Sequence, residues 1–340
     1  MFKIFIAETI LKTIIEEESK KAEHSRSYIY KVLRERQTLY VSAPTLDMTW
    51  ADTLKTEHQI IADYSKSDYI NTIIDHPEKV LENPSSLFIL DISIAEAENI
   101  QTSYGVICMS GKNVSTRFLI DTNDEHTIAE GEQFGNGWST VLKSVKAIPS
   151  NALLLIDRYL FSVTTPKYGS GIDNVQSILD ALLPKKFLGE YHVTIVFDNK
   201  SKNENYKFDD IVYLLDKAKK GLHRDYTINM EILGITPDSK IYDESHNRRI
   251  VSNYYIVKVE HKLAAFNKNV STSLQTITPQ AIFTVDSLNK NSTAPLKAID
   301  HAIATIREFA KTAPNSNDYY YALNDKSMEK CMGIKNRLLK

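Results

Sequence analysis

Residues 245–266, SHNRRIVSNYYIVKVEHKLAAF, decide how this chain is read. They open on His246-Asn247-Arg248, an imidazole and a guanidinium two residues apart, just before an apolar run over 250–259. In an extended segment residues i and i+2 point to one face, so His246 and Arg248 are expected to converge on one anionic group. Arginine holds phosphate through two parallel N–H bonds, and histidine attacks phosphorus or shuttles a proton near neutral pH. Two strands are expected within 249–259 with Ser252-Asn253 as the turn, followed by a short helix over 260–266.

Upstream, the pattern alternates. A strand over 152–157 precedes a helix over 172–183, a strand over 191–197, a helix over 208–220 closed by Gly221, and a strand over 226–234. Such alternation implies crossover connections, and hence a mixed, largely parallel sheet with helices on both faces. Ligands of such sheets sit at strand ends. Asp157, Asp198 and the His246/Arg248 pair occupy strand-end positions and are expected in one cleft.

With these elements in place, the segment 245–266 resembles the His-Asp-Arg region of single-motif phospholipase D-like domains, the group that includes the C-terminal domain attached to MIT modules. His246, Arg248, Asn253, Lys258 and Phe266 fall on matching positions, and Asp157-Arg158-Tyr159 has the form of the family's upstream strand end. The resemblance covers roughly 151–267. It implies a phospholipase D-like fold, with His246 as nucleophile or phosphate ligand and Arg248 on the non-bridging oxygens. Asn253, Lys258 and Lys262 would add to the phosphate site, with Asp157, Asp243 and Glu244 in support. The implied activity is metal-independent phosphodiester cleavage of nucleic acid, and the alternative is a non-catalytic interaction module with a degenerate phosphate site. The chain departs from the family pattern in several places. Asn247 replaces Asp, Asn253 stands where His-x-Lys-x4-Asp requires Asp, Arg248 replaces Lys, and Glu260 and Lys262 replace glycines. Active members bring two motifs together, so the single copy here implies a homodimer.

At 340 residues, length predicts about two domains. The expected division is an N-terminal α/β region over 1–147, the phospholipase D-like domain over 148–270 and a helical extension over 271–340. In the first region a helix is expected over 8–23, a strand over 38–42, a helix over 48–64, and strands over 87–91, 104–109 and 117–121. The only glycine cluster, 131–137, lacks phosphate-cradle spacing and reads as a loop. A helix is expected to reach about Ala310, capped over 291–295, and the last fifteen residues carry five basic residues and one acid, +4 locally. That tail reads as a solvated helix or a polyanion contact.

Composition narrows the function classes. Net charge is −2, so no global field draws the chain to nucleic acid, and any polyanion contact is local. Cys108 and Cys331 have no partner spacing, which argues against a zinc site or a disulfide framework and fits a cytoplasmic setting. No run approaches the ~18 apolar residues of a membrane span, and no cofactor motif is present. A rival metal-nuclease reading gathers Asp91, Asp121, Asp157 and Asp198, without any Asp-x-Asp pair. His126, His192, His223 and His301 have no ligand partner at usable spacing.

Overall fold

The computed structural model describes residues 2–34, 38–42, 48–58, 60, 62–65, 69–114, 124–162, 170–198, 208–236, 241, 243–284, 293–312, 319–323, 328–330 and 334–340. They form two compact units, Met1–Asp121 with Ile282–Lys297 and Thr122–Ala281 with Ala298–Lys340. The boundary therefore lies at 121/122 rather than 147/148, and 271–340 is not a separate extension.

The first unit is built on β1 (Lys3–Ala7), β2 (Thr38–Ser42), β3 (Ala62–Ser65), β4 (Ser86–Leu90) and β5 (Ile107–Ser110), in the order β3-β2-β1-β4-β5. Every pairing in it is parallel. Parallel strands are covered on both faces and read as unbroken apolar runs; β4, SLFIL, is buried throughout. Its helices are α1 (Glu8–Ser19), α2 (Tyr28–Arg34), α3 (Met48–Glu57), α4 (Tyr69–Asp75) and α5 (Ile94–Tyr104). In α1 the 3.6-residue period places Ile10, Leu11, Ile14 and Ile15 on the buried side. Where one helix was expected over 48–64, α3 stops at Glu57 and the chain re-enters the sheet as β3. Short apolar runs serve either period, and pairing with β2 decides this one. Similarly, the strand expected from Tyr104 starts at Ile107, because α5, opened by a Ser93/Glu96 capping box, runs to Tyr104 and ends on Gly105 at φ 60°. The expected strand 117–121 lies outside the described residues.

The second unit carries a nine-stranded sheet. Its strands are β6 (His126–Ile128), β7 (Ala152–Ile156), β8 (Tyr191–Asp198), β9 (Ile228–Ile235), β10 (Arg249–Ser252), β11 (Tyr255–Val259), β14 (Gln275–Ala281), β15 (Tyr319–Leu323) and β16 (Met328–Lys330). A separate ribbon pairs β12 (Phe266–Asn267) with β13 (Val270–Ser271). The order is β16-β15-β9-β8-β7-β10-β11-β14-β6. Only β7-β8 and β8-β9 are parallel in this sheet, so "largely parallel" holds for the first unit and not for the second. The other six pairings are antiparallel, of which β10-β11 and β15-β16 are hairpin returns, while β7-β10, β6-β14 and β9-β15 join strands distant in sequence.

Helices α6 (Trp138–Val141) and α7 (Lys143–Lys146) precede β7, α8 (Gly171–Leu182) links β7 to β8, and α9 (Phe208–Gly221) links β8 to β9. α8 and α9 pack against each other, as right-handed crossovers stepping the same way require. The close approach of α8 to the end of β7 needs a glycine, since a Cβ on Gly171 would stand 2.0 Å from the Leu160 carbonyl oxygen. α10 (Ala294–Thr312) matches the expected C-terminal helix; residues 291–292 of its predicted cap lie outside the described residues. No described helix is long and apolar enough to cross a membrane.

Two expectations fail at the segment's flanks. Residues 260–265 form no helix, and their backbone instead serves a buried acid described below. The described part of the basic tail is not a solvated helix: 328–330 form β16, and 334–340 are irregular, with Asn336, Leu338 and Leu339 buried.

Candidate functional site

Asp157 closes β7 and is fully buried. Its Oδ1 accepts the Tyr159 N–H at 2.9 Å and its Oδ2 the Leu263 N–H at 2.7 Å. The Nε of Arg248 lies 3.6 Å from Oδ1, and Arg248 Nη1 donates to the Glu260 carbonyl at 3.1 Å. The guanidinium also stands 5.6 Å from the Tyr159 ring centre, whose edge meets the His246 ring at 6.1 Å. Arg158 lies over the same Tyr159 ring at 4.7 Å.

Local folding explains this convergence. Residues 244–246 form a single 3-10 turn rather than an extended segment, with His246 N–H bonded to the Asp243 carbonyl at 3.1 Å. The Arg158 N–H ties the β7 end to the Ser245 carbonyl at 3.2 Å. His246 and Arg248 thus meet around Tyr159 and not through strand alternation.

Electrostatics follow from burial and the local excess of cations. Burial lifts the Asp157 pKa to about 6 against the lowering effects of its two backbone donors, Arg248 and Lys262. Loss of solvation, then the charges of Arg248 and Arg158, holds His246 below its ordinary value, so the exposed ring is unprotonated at neutral pH. His261 is lowered by burial, Lys262 and Arg248, while burial lowers Lys262 against the opposing pull of Asp157 and Glu130.

The Asp157 shift sets a pH dependence. The folded state holds this proton up to about pH 6, whereas the unfolded carboxyl releases it near 3.8. Stability from this group is therefore greatest below the unfolded value and declines as pH rises through that window, by roughly 3 kcal/mol in all. Asp157→Asn is expected to abolish this component, so urea midpoints of variant and parent should diverge between the two ends of the window. Parallel pH profiles would refute the assignment.

Beside the cluster lies a cleft of about 600 Å³ lined by His246, Arg248, Arg249, Lys258, Thr276 and Thr278, among others. Its described carboxylate is Glu260, whose Oε2 accepts the Thr276 N–H at 3.2 Å. The cleft therefore has an excess of positive charge suited to an oxyanion.

The structure brings together His246, Arg248, Lys258 and Asp157. Asp243 is exposed beside His246, and the side chain of Glu244 lies outside the described residues. Lys262 is half-buried with Asp157 and Glu130 as acidic neighbours. Asn253 is not part of the site, because it sits in the hairpin turn at the opposite end of β10, with its Oδ1 accepting the Asn151 N–H at 3.3 Å. Arg249 and His261 were not singled out from sequence, and Arg158 and Tyr159 were read only as the strand end that follows Asp157, with no role in the site. Arg158 and Tyr159 carried a usable signal, since they directly follow the strand-end acid.

Of the metal-nuclease carboxylates, Asp91 belongs to the first unit, Asp157 and Asp198 to the second, and Asp121 lies outside the described residues. Among the described residues no group of three or more His, Cys, Asp or Glu is placed to hold a metal ion. No protein-family model matches the chain, and no curated protein matches it in sequence.

Proposed function

We propose that the second unit binds a phosphodiester-bearing ligand in this cleft, with Arg248 on the non-bridging oxygens and His246 beside them, in a phospholipase D-like arrangement. One observation carries the reading: His246 and Arg248 both line an open, cation-rich cleft, and Arg248 is held there by Asp157 and the Glu260 carbonyl. A braced guanidinium loses little freedom on meeting an anion, which favours binding. Titration with a fluorescent phosphodiester oligonucleotide tests it. Binding that weakens with salt and is lost in Arg248→Ala supports the reading, and salt-independent or absent binding refutes it.

A second reading, metal-independent cleavage, is favoured by the lowered His246 pKa, because attack on phosphorus needs an unprotonated ring. Among the described residues no carboxylate lies within hydrogen-bond distance of that ring, so binding without turnover ranks first. Cleavage would also need a second copy of the motif, supplied by a homodimer. The expected outcome is that His246→Ala weakens oligonucleotide binding only two- to threefold, by loss of one neutral hydrogen bond worth about 0.5 kcal/mol. Oligonucleotide cleavage in EDTA that disappears in this variant would move cleavage to first place.

A further inference from the structure

We infer that Asp157 is a positioning residue that contends with the ligand for Arg248, so that capture of a phosphodiester in the cleft is accompanied by uptake of a proton at Asp157. This rests on the reading of Arg248 as the oxyanion contact. The Asp157 side chain has no solvent exposure, while that of Arg248 keeps 13% and lines the cleft, so the guanidinium lies between a sealed acid and an open site. The contact with the acid is loose. Arg248 Nε stands 3.6 Å from Asp157 Oδ1, beyond hydrogen-bond distance, and is a buried donor without an acceptor among the described residues. Nη1 is given to the Glu260 carbonyl, and Nη2 has no acceptor among the described residues. A guanidinium held by one carbonyl and one loose ion pair keeps hydrogen-bonding capacity for an oxyanion.

The sign of the coupling follows from charge alone. An anion brought to Arg248 shares that cation with a second anion, Asp157, across poorly solvated protein where charges act strongly. A like charge nearby disfavours the ionised carboxyl, so the ligand pushes Asp157 up. Burial already lifts it to about 6, close enough to neutrality for a further rise to bring a proton on. The cations that face it, Arg248 from the entrance of β10 and Lys262 from the loop after β11, hold it down, and Lys262 is itself shared with Glu130. Arg158 follows it in the chain but lies over the Tyr159 ring, and Asp198 closes the neighbouring β8. His246 and His261 also feel the Arg248 charge, which lowers both, and an anion there raises them in turn. Their contribution has the same sign as that of Asp157. Geometry singles out Asp157, because among the described residues it is the carboxylate in ion-pair contact with the ligand's own cation.

Calorimetric titration with a short oligothymidylate, which carries no group that titrates between about pH 5 and about pH 8, counts the protons from the dependence of the heat on buffer ionisation. If the ligand raises the Asp157 pKa from about 6 to about 7, binding takes up about half a proton near pH 6.5 and tightens about eightfold from about pH 8 to about pH 5. Asp157→Asn, which holds the side chain neutral, should bind about eightfold tighter than the parent near pH 7.5 and lose that dependence. An acid that served only as a brace would give weaker binding on removal. Both results should persist in a protein carrying His246→Gln and His261→Gln, where neither ring can supply the proton. A folded Asp157→Asn protein that binds no tighter than the parent would overturn the inference. If that variant does not fold, the double-histidine variant decides: uptake of about half a proton near pH 6.5 supports the coupling, and binding without uptake overturns it. A parent protein that binds the oligothymidylate at no pH would overturn the oxyanion reading and this inference with it, an outcome distinct from binding without proton uptake.

Discussion

Arg248→Ala should destabilise the second unit by about 2 kcal/mol at neutral pH and abolish anion binding in the cleft. The Asp157 side chain has no solvent exposure, and Arg248 is the guanidinium beside it. Removing Arg248 leaves a carboxylate that water cannot reach, and with a pKa of about 6 it escapes by taking up a proton, at a cost of about 1.4 kcal/mol at pH 7; the lost hydrogen bond to the Glu260 carbonyl adds about 0.5–1 kcal/mol. Two backbone N–H donors remain on Asp157 in the variant. The sign of the pH effect separates this cause from simple loss of packing. Without Arg248 the Asp157 pKa moves up from about 6, because one of its lowering influences is gone. The deficit relative to the parent is therefore largest above that pH, where the carboxylate is charged, and shrinks as acid neutralises it. Urea unfolding of variant and parent at neutral and at acid pH measures both quantities. A deficit of the same size at both would show that the ion pair is not what Arg248 contributes. Arg248→Lys should recover part of the stability but little of the anion affinity, since an ammonium restores charge without the two-pronged fork.

The readable parts of the fold were those with one dominant period. β7 is a continuous apolar run, β8 is buried throughout, and α8, α9 and α10 carry apolar stripes, so their order was legible from residue pattern alone. What pattern could not convey was partner choice. Nothing in Gln275–Ala281 states that it pairs with β11, and that pairing makes the sheet mixed and sets Thr278 opposite Lys258. The same limit applied at the site. His246 and Arg248 were visible as residue types, yet what unites them is Tyr159 and Asp157, brought from far upstream by the β7-β10 ladder. Asn253 was misplaced because a motif spacing was followed where the hairpin turn carries the side chain to the other strand end. Residues 260–265 looked helical, but Leu263 is committed to Asp157, a tertiary demand that outweighs local propensity.

Glu231→Ala should be more costly, and it acts through the basic tail. Glu231 lies in β9, buried, and its side-chain oxygens accept the N–H groups of Lys335 and Asn336 and the Thr194 hydroxyl. Asn336 in turn donates to Thr194 Oγ1 at 2.9 Å and to the Leu153 carbonyl at 3.2 Å, so one side chain on the sheet organises the docking of 334–340. Each buried donor left without an acceptor costs about 1–3 kcal/mol, and two backbone donors are stranded together, which gives roughly 4 kcal/mol. Hydrogen exchange should show 334–340 losing protection ahead of the sheet, and trypsin should gain access at Lys335 and Arg337. Retained protection there would mean that Leu338 and Leu339, both buried, hold the tail without the acid. Acid probes the same contact independently. Arg337 Nε donates to His192 Nδ1 at 3.0 Å, and burial with the Arg337 charge keeps that ring neutral down to about pH 3. An unfolded histidine takes up its proton near 6.5, so this contribution is present above that pH and is lost as pH falls through the interval below it. Its slope is opposite to that of Asp157, and His192→Gln should remove it while leaving the Asp157 component untouched.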